Sequence, residues 1–307
     1  MTLIRWDCNE RKLFKIMKDT LNVIEYLRIA GSLSKIRISL SVTATTFTGY
    51  YVYSGSLSPL LPPLLGGIFL LAAGSSALNH IQERDTDAMM DRTKGRPLPS
   101  QLVSSRQVMV FAVAALIGGT AVLASNFIFA VPMLGLSNLI WYNGVYTPLK
   151  KVTAFAVIPG SVTGGIPPLI GWVAAGGGFA DTDIMVIVLF FIIGQIPHFW
   201  LLLLKYGKEY ENAGLPSITS LFSKIQINHI SYAWIVAAVA SSALLPARGL
   251  ITGIPLMTAY ILAAAFLIIV SVLHNLNSTE NRQWITFTAL NLFYLLMMLL
   301  LVLEKII

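Results

Sequence analysis

Nine apolar runs alternate with polar connections along the chain, at 38–54, 61–82, 107–124, 127–146, 154–175, 184–204, 229–247, 253–273 and 284–303. A helix that crosses a bilayer needs about 20 apolar residues, so the pattern predicts an all-α, polytopic membrane protein with nine transmembrane helices. Residues 1–37 are polar and carry many basic side chains. They are expected to form a cytoplasmic amphipathic segment against anionic headgroups, with 38–307 as a single transmembrane domain. No apolar stretch with a basic start and a small-residue cleavage site opens the chain, so no secretory signal is expected.

Composition strengthens this picture. Hydrophobic residues make up 56% of the 307 and charged ones 11%, and the mean hydropathy is +0.74. Soluble domains carry about a quarter charged residues, so this chain is solvated by lipid. The net charge of +7 reports topology rather than nucleic-acid binding, because the basic residues sit in the connections and no nucleic-acid module is present. With the N-terminus cytoplasmic, 19 of the 21 Lys and Arg fall inside, leaving Arg248 and Lys305 outside. The positive-inside rule therefore predicts that orientation. Asp7, Glu10, Asp19 and Glu25 argue against a mitochondrial transit peptide and favour a bacterial inner membrane. Cys8 is the only cysteine, which excludes an internal disulfide and a thiolate metal cluster.

Within the spans, Gly160, Gly164, Gly165, Pro167, Pro168 and Gly171 crowd the fifth. Such residues imply either a broken helix lining a central cavity or tight helix packing. The sixth carries Gln195, Pro197 and His198, which are expected to interrupt its cytoplasmic half.

The chemistry concentrates in Asn79 to Leu98. Asn79, Glu83, Asp87 and Asp91 recur every four residues, so a helix would align them as one stripe at the membrane surface. Like charges at this spacing repel, and a cation should compensate them. Oxygen-only ligands favour Mg2+, which commonly shares its shell with substrate phosphates. Arg92, Lys94 and Arg96 follow directly and offer donors for phosphate oxygens. Acids and bases beside a hydrophobic cavity describe a cytoplasmic site for a lipid diphosphate. The alternative is a solvated loop whose acids pair with its own bases.

These residues resemble the UbiA superfamily of intramembrane prenyltransferases, whose first signature is Asn-x3-Asp-x3-Asp on the second span. Here it reads Asn79-x3-Glu83-x3-Asp87, with Glu83 where the family usually has Asp. Four further blocks are most similar to the branch that farnesylates haem: Met90-Asp91-Arg92-Thr93-Lys94-x-Arg96-Pro97-Leu98, Tyr146-Thr147-Pro148-Leu149-Lys150-Lys151, Gly164-Gly165-Ile166-Pro167-Pro168 with Gly171-Trp172, and Pro197-His198-Phe199-Trp200. The family's second acidic loop, Lys-Asp-Asp-Tyr, is here Lys208-Glu209-Tyr210-Glu211.

The resemblance implies Mg2+-dependent transfer of a farnesyl group from farnesyl diphosphate to a vinyl group of haem b (protohaem IX), giving haem O for terminal oxidases. Asn79, Glu83, Asp87 and Asp91 would hold the metal. Arg92, Lys94, Arg96, Lys150, Lys151, Lys208, Glu209 and Tyr210 would bind or order the diphosphate. Trp141, Tyr142 and Tyr146 could shield an allylic cation with their ring faces. His198 could ligate haem iron, or be a hydrogen-bonded packing residue. Membrane lipid surrounds the chain, and haem A synthase or an oxidase is the assembly partner the resemblance suggests. The rival functions are prenylation of an aromatic quinone precursor and, outside enzymology, haem or lipid transport. Transporters bury charge near the midplane, and these spans carry almost none.

Overall fold

The computed structural model describes residues 23–276 and 280–307, with side chains from 282 onward in the second stretch. The expected amphipathic segment lies outside the described residues up to residue 22. Its remainder is helical over 23–33 (α1), with Val23, Ile24, Tyr26 and Leu27 exposed.

The chain then runs through α2 (Ile36–Ser54), α3 (Leu61–Gln82), the short α4 (Arg84–Met89), α5 (Ser105–Asn126) and α6 (Ala130–Ile140). A π-helical turn, Trp141–Tyr146, carries α6 on to Thr147–Leu149. After Val157–Gly160 come α7 (Val162–Ala174), α8 (Thr182–Asn212), α9 (Lys224–Ser242), α10 (Ile254–Leu276) and α11 (Glu280–Leu303). No strand occurs among the described residues.

Among the described residues, seven helical segments are long and apolar enough to cross a membrane, and the chain is an integral membrane protein. The two other expected spans, 38–54 and 127–146, coincide with α2 and with α6 plus its π turn. The first is rich in Thr and Ser, and the second is only 11 residues long as an α-helix. From α2 and α3 through α5 and on to α11, successive long helices pack on one another, and α11 returns to α2. A ring results.

Inside the ring, α2 also packs directly on α7. A Cβ at Gly49 would run into the Pro168 carbonyl oxygen, and one at Gly171 into the Thr46 carbonyl oxygen. The Gly- and Pro-rich fifth span is thus both things expected of it. Gly171 allows a close backbone approach, while Thr163 and Ile170 line a cavity. The helix is broken at its start, between Gly160 and Val162.

Two expectations about the sixth span need correction. It extends to Asn212, and it is not interrupted at Pro197. Proline removes one i→i−4 hydrogen bond, but Phe190, Phe191 and Leu201 pack into the cluster formed with α9, α10 and α11. That packing carries the helix through the gap.

Overpacking of a filled contact costs about 1–3 kcal/mol. Gly49→Ala and Gly171→Ala are therefore expected to lower the unfolding temperature in detergent. Gly66→Ala, which meets nothing within 4 Å, should leave it unchanged or raise it. Equal effects at all three positions would refute the close α2–α7 approach.

Candidate functional site

Helix α3 ends at Gln82, and Glu83 adopts φ −105°, ψ 7° before α4 begins. The four-residue repeat survives this break. Glu83 donates its backbone N–H to the Asn79 carbonyl at 3.0 Å, and Asp87 donates to the Glu83 carbonyl at 2.7 Å. Asn79, Glu83 and Asp87 therefore follow one another on successive turns, with Asn79 0% and Asp87 1% exposed. Asp91 does not extend the stripe. The chain turns extended at Met90 (φ −100°, ψ 130°), and the Asp91 carboxylate, 81% exposed, pairs with Lys94 at 2.6 Å. The expected fourth member is lost because the helix stops at Met89.

Cations meet the buried acids one for one. Arg96 Nη1 lies 2.7 Å from Asp87 Oδ2, and Lys150 Nζ pairs with Glu83 Oε1. Lys35 Nζ donates to Asn79 Oδ1 at 2.5 Å, and Asn79 Nδ2 donates to Thr147 Oγ1 at 3.1 Å. Burial pushes the Glu83 carboxyl up, but the ammonium groups of Lys150 and Lys35 outweigh it and hold the pKa below the ordinary range. Burial likewise pushes Lys150 down, and Glu83 more than reverses that, so its pKa is raised. Both groups are charged at neutral pH.

The remaining expected phosphate ligands stand around this centre. Lys151 Nζ donates to the Gln82 carbonyl at 3.1 Å. Arg92 donates its backbone N–H to Glu209 Oε2 at 3.1 Å, and its guanidinium lies 5.2 Å from the Tyr206 ring. The expected second acidic loop is in fact the last turn of α8, and this bond joins it to the first acidic segment. Lys94 faces Asp91 and, more weakly, Glu209, while Tyr210 is close enough to Lys150 to interact electrostatically. Lys208 is exposed. Among the described residues, no group of three His, Cys, Asp or Glu side chains encloses a metal position.

The π turn sets the facing wall. Thr147 sends both its N–H and its hydroxyl to the Tyr142 carbonyl, a five-residue reach that turns Asn143 and Thr147 toward α3. Asn143 Nδ2 donates to Gln82 Oε1 at 2.9 Å, and Ser75 Oγ donates to Asn143 Oδ1 at 2.6 Å. π turns are frequent at functional sites. Tyr142 and Tyr146 stand 5.7 Å apart, and the Tyr146 ring lies 5.0 Å from Lys150 Nζ. Trp141 does not join them, because its indole N–H is held by the Pro159 carbonyl at 2.7 Å. Below Asn79, an apolar cavity runs from Ser75 and Tyr142 past Leu71 and Gly135 to Ile68. Ile68 is 11 residues before Asn79, a depth of about 16 Å at 1.5 Å per residue.

Lys35 and Thr147 are contacts of Asn79 to which the sequence pattern assigned no part at the stripe. Thr147 stands inside the Tyr146-to-Lys151 block, which is a usable signal. Lys35 looked like a topology charge. Its placement depends on a left-handed backbone (φ 44°) between α1 and α2, braced where His80 Nε2 meets the Ser32 carbonyl at 3.2 Å.

Residues 42–299 match the UbiA prenyltransferase family. The chain is 36% identical over 233 residues to the protoheme IX farnesyltransferase of Geobacter sulfurreducens, covering 76% of this chain and 85% of that one. It is 37% identical over 190 residues to the protoheme IX farnesyltransferase of Oleidesulfovibrio alaskensis, covering 62% and 67%. The fold is similar to that of a UbiA homolog from Aeropyrum pernix K1, with TM-score 0.71, 19% identity and coverage of 88% and 98%. It is also similar to a UbiA homolog from Archaeoglobus fulgidus bound to GPP and Mg2+, with TM-score 0.65, 14% identity and coverage of 91% and 100%.

Proposed function

The chain belongs to the UbiA prenyltransferase family, and from that premise we propose that it farnesylates haem b, using farnesyl diphosphate and Mg2+ at the cytoplasmic face of a nine-span membrane domain. The observation that carries the diphosphate half of this reading is the stack of Asn79, Glu83 and Asp87, ringed by Lys35, Arg96 and Lys150, above an apolar cavity. The acceptor half is supported by relatives named for haem farnesylation over most of their length. The orientation rests on the basic residues, which gather on the side of this site.

The donor set suits the metal. Mg2+ is typically bound by one or two carboxylates plus phosphate oxygens, and Glu83, Asp87 and the Asn79 amide oxygen are such donors. When bound, Mg2+ would neutralise charge that develops on the departing diphosphate. Arg96 and Lys150, freed from the acids they now pair with, and Lys35, freed from the Asn79 amide oxygen, would turn to phosphate oxygens, with Arg92, Lys94 and Lys151 at the rim. The prenyl chain would occupy the cavity toward Ile68. There the apolar walls exclude water, and the ring face of Tyr142, which lines the cavity, would favour positive charge on the allylic carbon.

The bond from prenyl C1 to oxygen breaks and its electron pair leaves with the diphosphate. C1 joins the terminal vinyl carbon, and water supplies the hydroxyl on the inner vinyl carbon and gives up a proton. The product is the hydroxyethylfarnesyl group of haem O. Membership of the family extends to relatives with other acceptors, so the acceptor is the point to test. Purified protein with Mg2+ and farnesyl diphosphate is expected to convert haem b and to leave 4-hydroxybenzoate unreacted. Product on the aromatic acid alone would sink the haem assignment.

A further inference from the structure

The apolar cavity beneath Asn79 has a closed lower end. Ile38, near its mouth, is exposed, whereas Ile68 at the bottom is buried. Past Ile68, the side chains of Leu61, Leu64, Leu123 and Val131 pack with it into one cluster, the last three of them 0% exposed. Interiors packed in this way hold few voids larger than a water molecule, so a chain that enters the cavity stops at Ile68.

The passage narrows before it ends. Gly135 on α6 lies between α3 and α5, and a Cβ built on it would stand 2.6 Å from Leu71 Cδ1, 3.8 Å from Leu123 Cδ1 and 4.0 Å from Ile68 Cδ1. Gly135 and Leu71 both line the cavity, and Leu71 is otherwise packed into the cluster. A side chain at position 135 would therefore push the end of Leu71 into the cavity, the open space beside it.

Depth converts these contacts into chain length. Leu71 and Ile68 precede Asn79 by 8 and 11 residues, depths of about 12 and 16 Å at 1.5 Å per residue. An isoprene unit adds four bonds along the chain, about 5 Å at the reach per bond of an extended backbone. Glu83 and Asp87, where metal and diphosphate would sit, are on the turns beyond Asn79, so the first prenyl carbon enters near Asn79. Two units then end short of Leu71. Three pass it and reach Ile68, and a fourth would run into Leu64.

We propose that Gly135 and Leu71 form the passage to the third isoprene unit and that Ile68, backed by the packed cluster, is the floor that excludes a fourth. The inference rests on the prenyl chain lying in this cavity, and it assigns the side chains that measure it. It is tested by the affinity of the full-length protein in detergent for geranyl, farnesyl and geranylgeranyl diphosphate with Mg2+. No haem is added, so the result does not depend on the acceptor.

The wild type should bind the three-unit donor most tightly. Gly135→Val should weaken farnesyl diphosphate by at least about 10-fold, the lower end of what one misfit methylene in an apolar pocket is worth. It should bind geranyl diphosphate as the wild type does, which reports that the variant is folded. Adding Leu71→Ala to Gly135→Val should restore farnesyl diphosphate, because it removes the side chain that valine displaces. Farnesyl diphosphate bound equally by Gly135→Val and the wild type overturns the passage, and so does a loss of both shorter donors that Leu71→Ala does not repair. Geranylgeranyl diphosphate bound by the wild type as tightly as farnesyl diphosphate overturns the floor. A wild type that binds none of the three overturns the diphosphate site itself.

Discussion

Asp87→Ala is expected to abolish farnesyl transfer in practice, with kcat down by at least about 100-fold, the scale on which loss of a single preorganised charge-stabilising group registers. The size follows from position. The Asp87 side chain is 2% exposed and, among the described residues, its one charged partner is Arg96, so no other carboxylate on the stripe can take its place at that turn. Asp87→Asn should be nearly as damaging, since it keeps the shape and an acceptor oxygen but removes the charge that draws a divalent cation. Asp91→Asn is the contrasting variant. Its pair with Lys94 is exposed at 81% and 62%, and pairs so open to solvent contribute little. Rates are to be measured at saturating farnesyl diphosphate over a range of Mg2+ concentrations. Transfer by Asp87→Ala at the wild-type rate would remove Asp87 from the machinery, and equal losses at Asp87 and Asp91 would mean that the fourth turn matters after all.

The contrast between these two acids shows where sequence periodicity stops being informative. A repeat of four predicts a stripe only while the helix lasts, and nothing in Met-Met-Asp-Arg-Thr-Lys announces that it ends at Met89. The break at Glu83 was equally silent, yet the backbone hydrogen bonds across it preserved the register of Asn79, Glu83 and Asp87. Charge position marked Asn79 to Leu98 as the functional surface, and the bond from Arg92 to Glu209 ties that segment to the end of α8. Charge type misled at Lys35, which a topology rule counts as one more basic residue while a left-handed backbone delivers it to Asn79. Hydropathy found the run at 127–146 but not its π turn, which depends on where Thr147 sends its N–H. His198 was visible as a choice between ligand and packing residue. Its partner Asn291, 93 positions away with Oδ1 2.9 Å from His198 Nδ1, was not, because only the fold brings α11 against α8.

Lys150→Met is expected to destabilise the metal-free protein by about 3 kcal/mol, toward the low end of what removing one partner of a buried ion pair costs. The value lies at the low end because Lys35 still faces Glu83, whose side chain is 15% exposed. The sign of the pH dependence follows from the same contacts. In the wild type the folded-state pKa of Glu83 is held below its ordinary value, so the stabilisation is present above the unfolded carboxyl pKa and fades as pH falls through the lower folded one. Without Lys150, burial is opposed mainly by Lys35, the carboxylate is less well compensated, and the gap between variant and wild type should widen as pH rises from the ordinary carboxyl range toward neutrality.

Mg2+ then acts as the decisive reagent. If Glu83 is a metal ligand, the divalent cation supplies in the variant the charge that methionine lacks, whereas in the wild type it must first displace Lys150. Mg2+ should therefore raise the unfolding temperature of Lys150→Met more than that of the wild type, by the linkage between binding and stability. Farnesyl transfer by the variant should nevertheless stay low even at saturating Mg2+, because the lysine is also expected at the phosphate oxygens. Equal Mg2+ shifts in the two proteins would take Glu83 out of the metal site, and full activity of the variant would take Lys150 off the diphosphate.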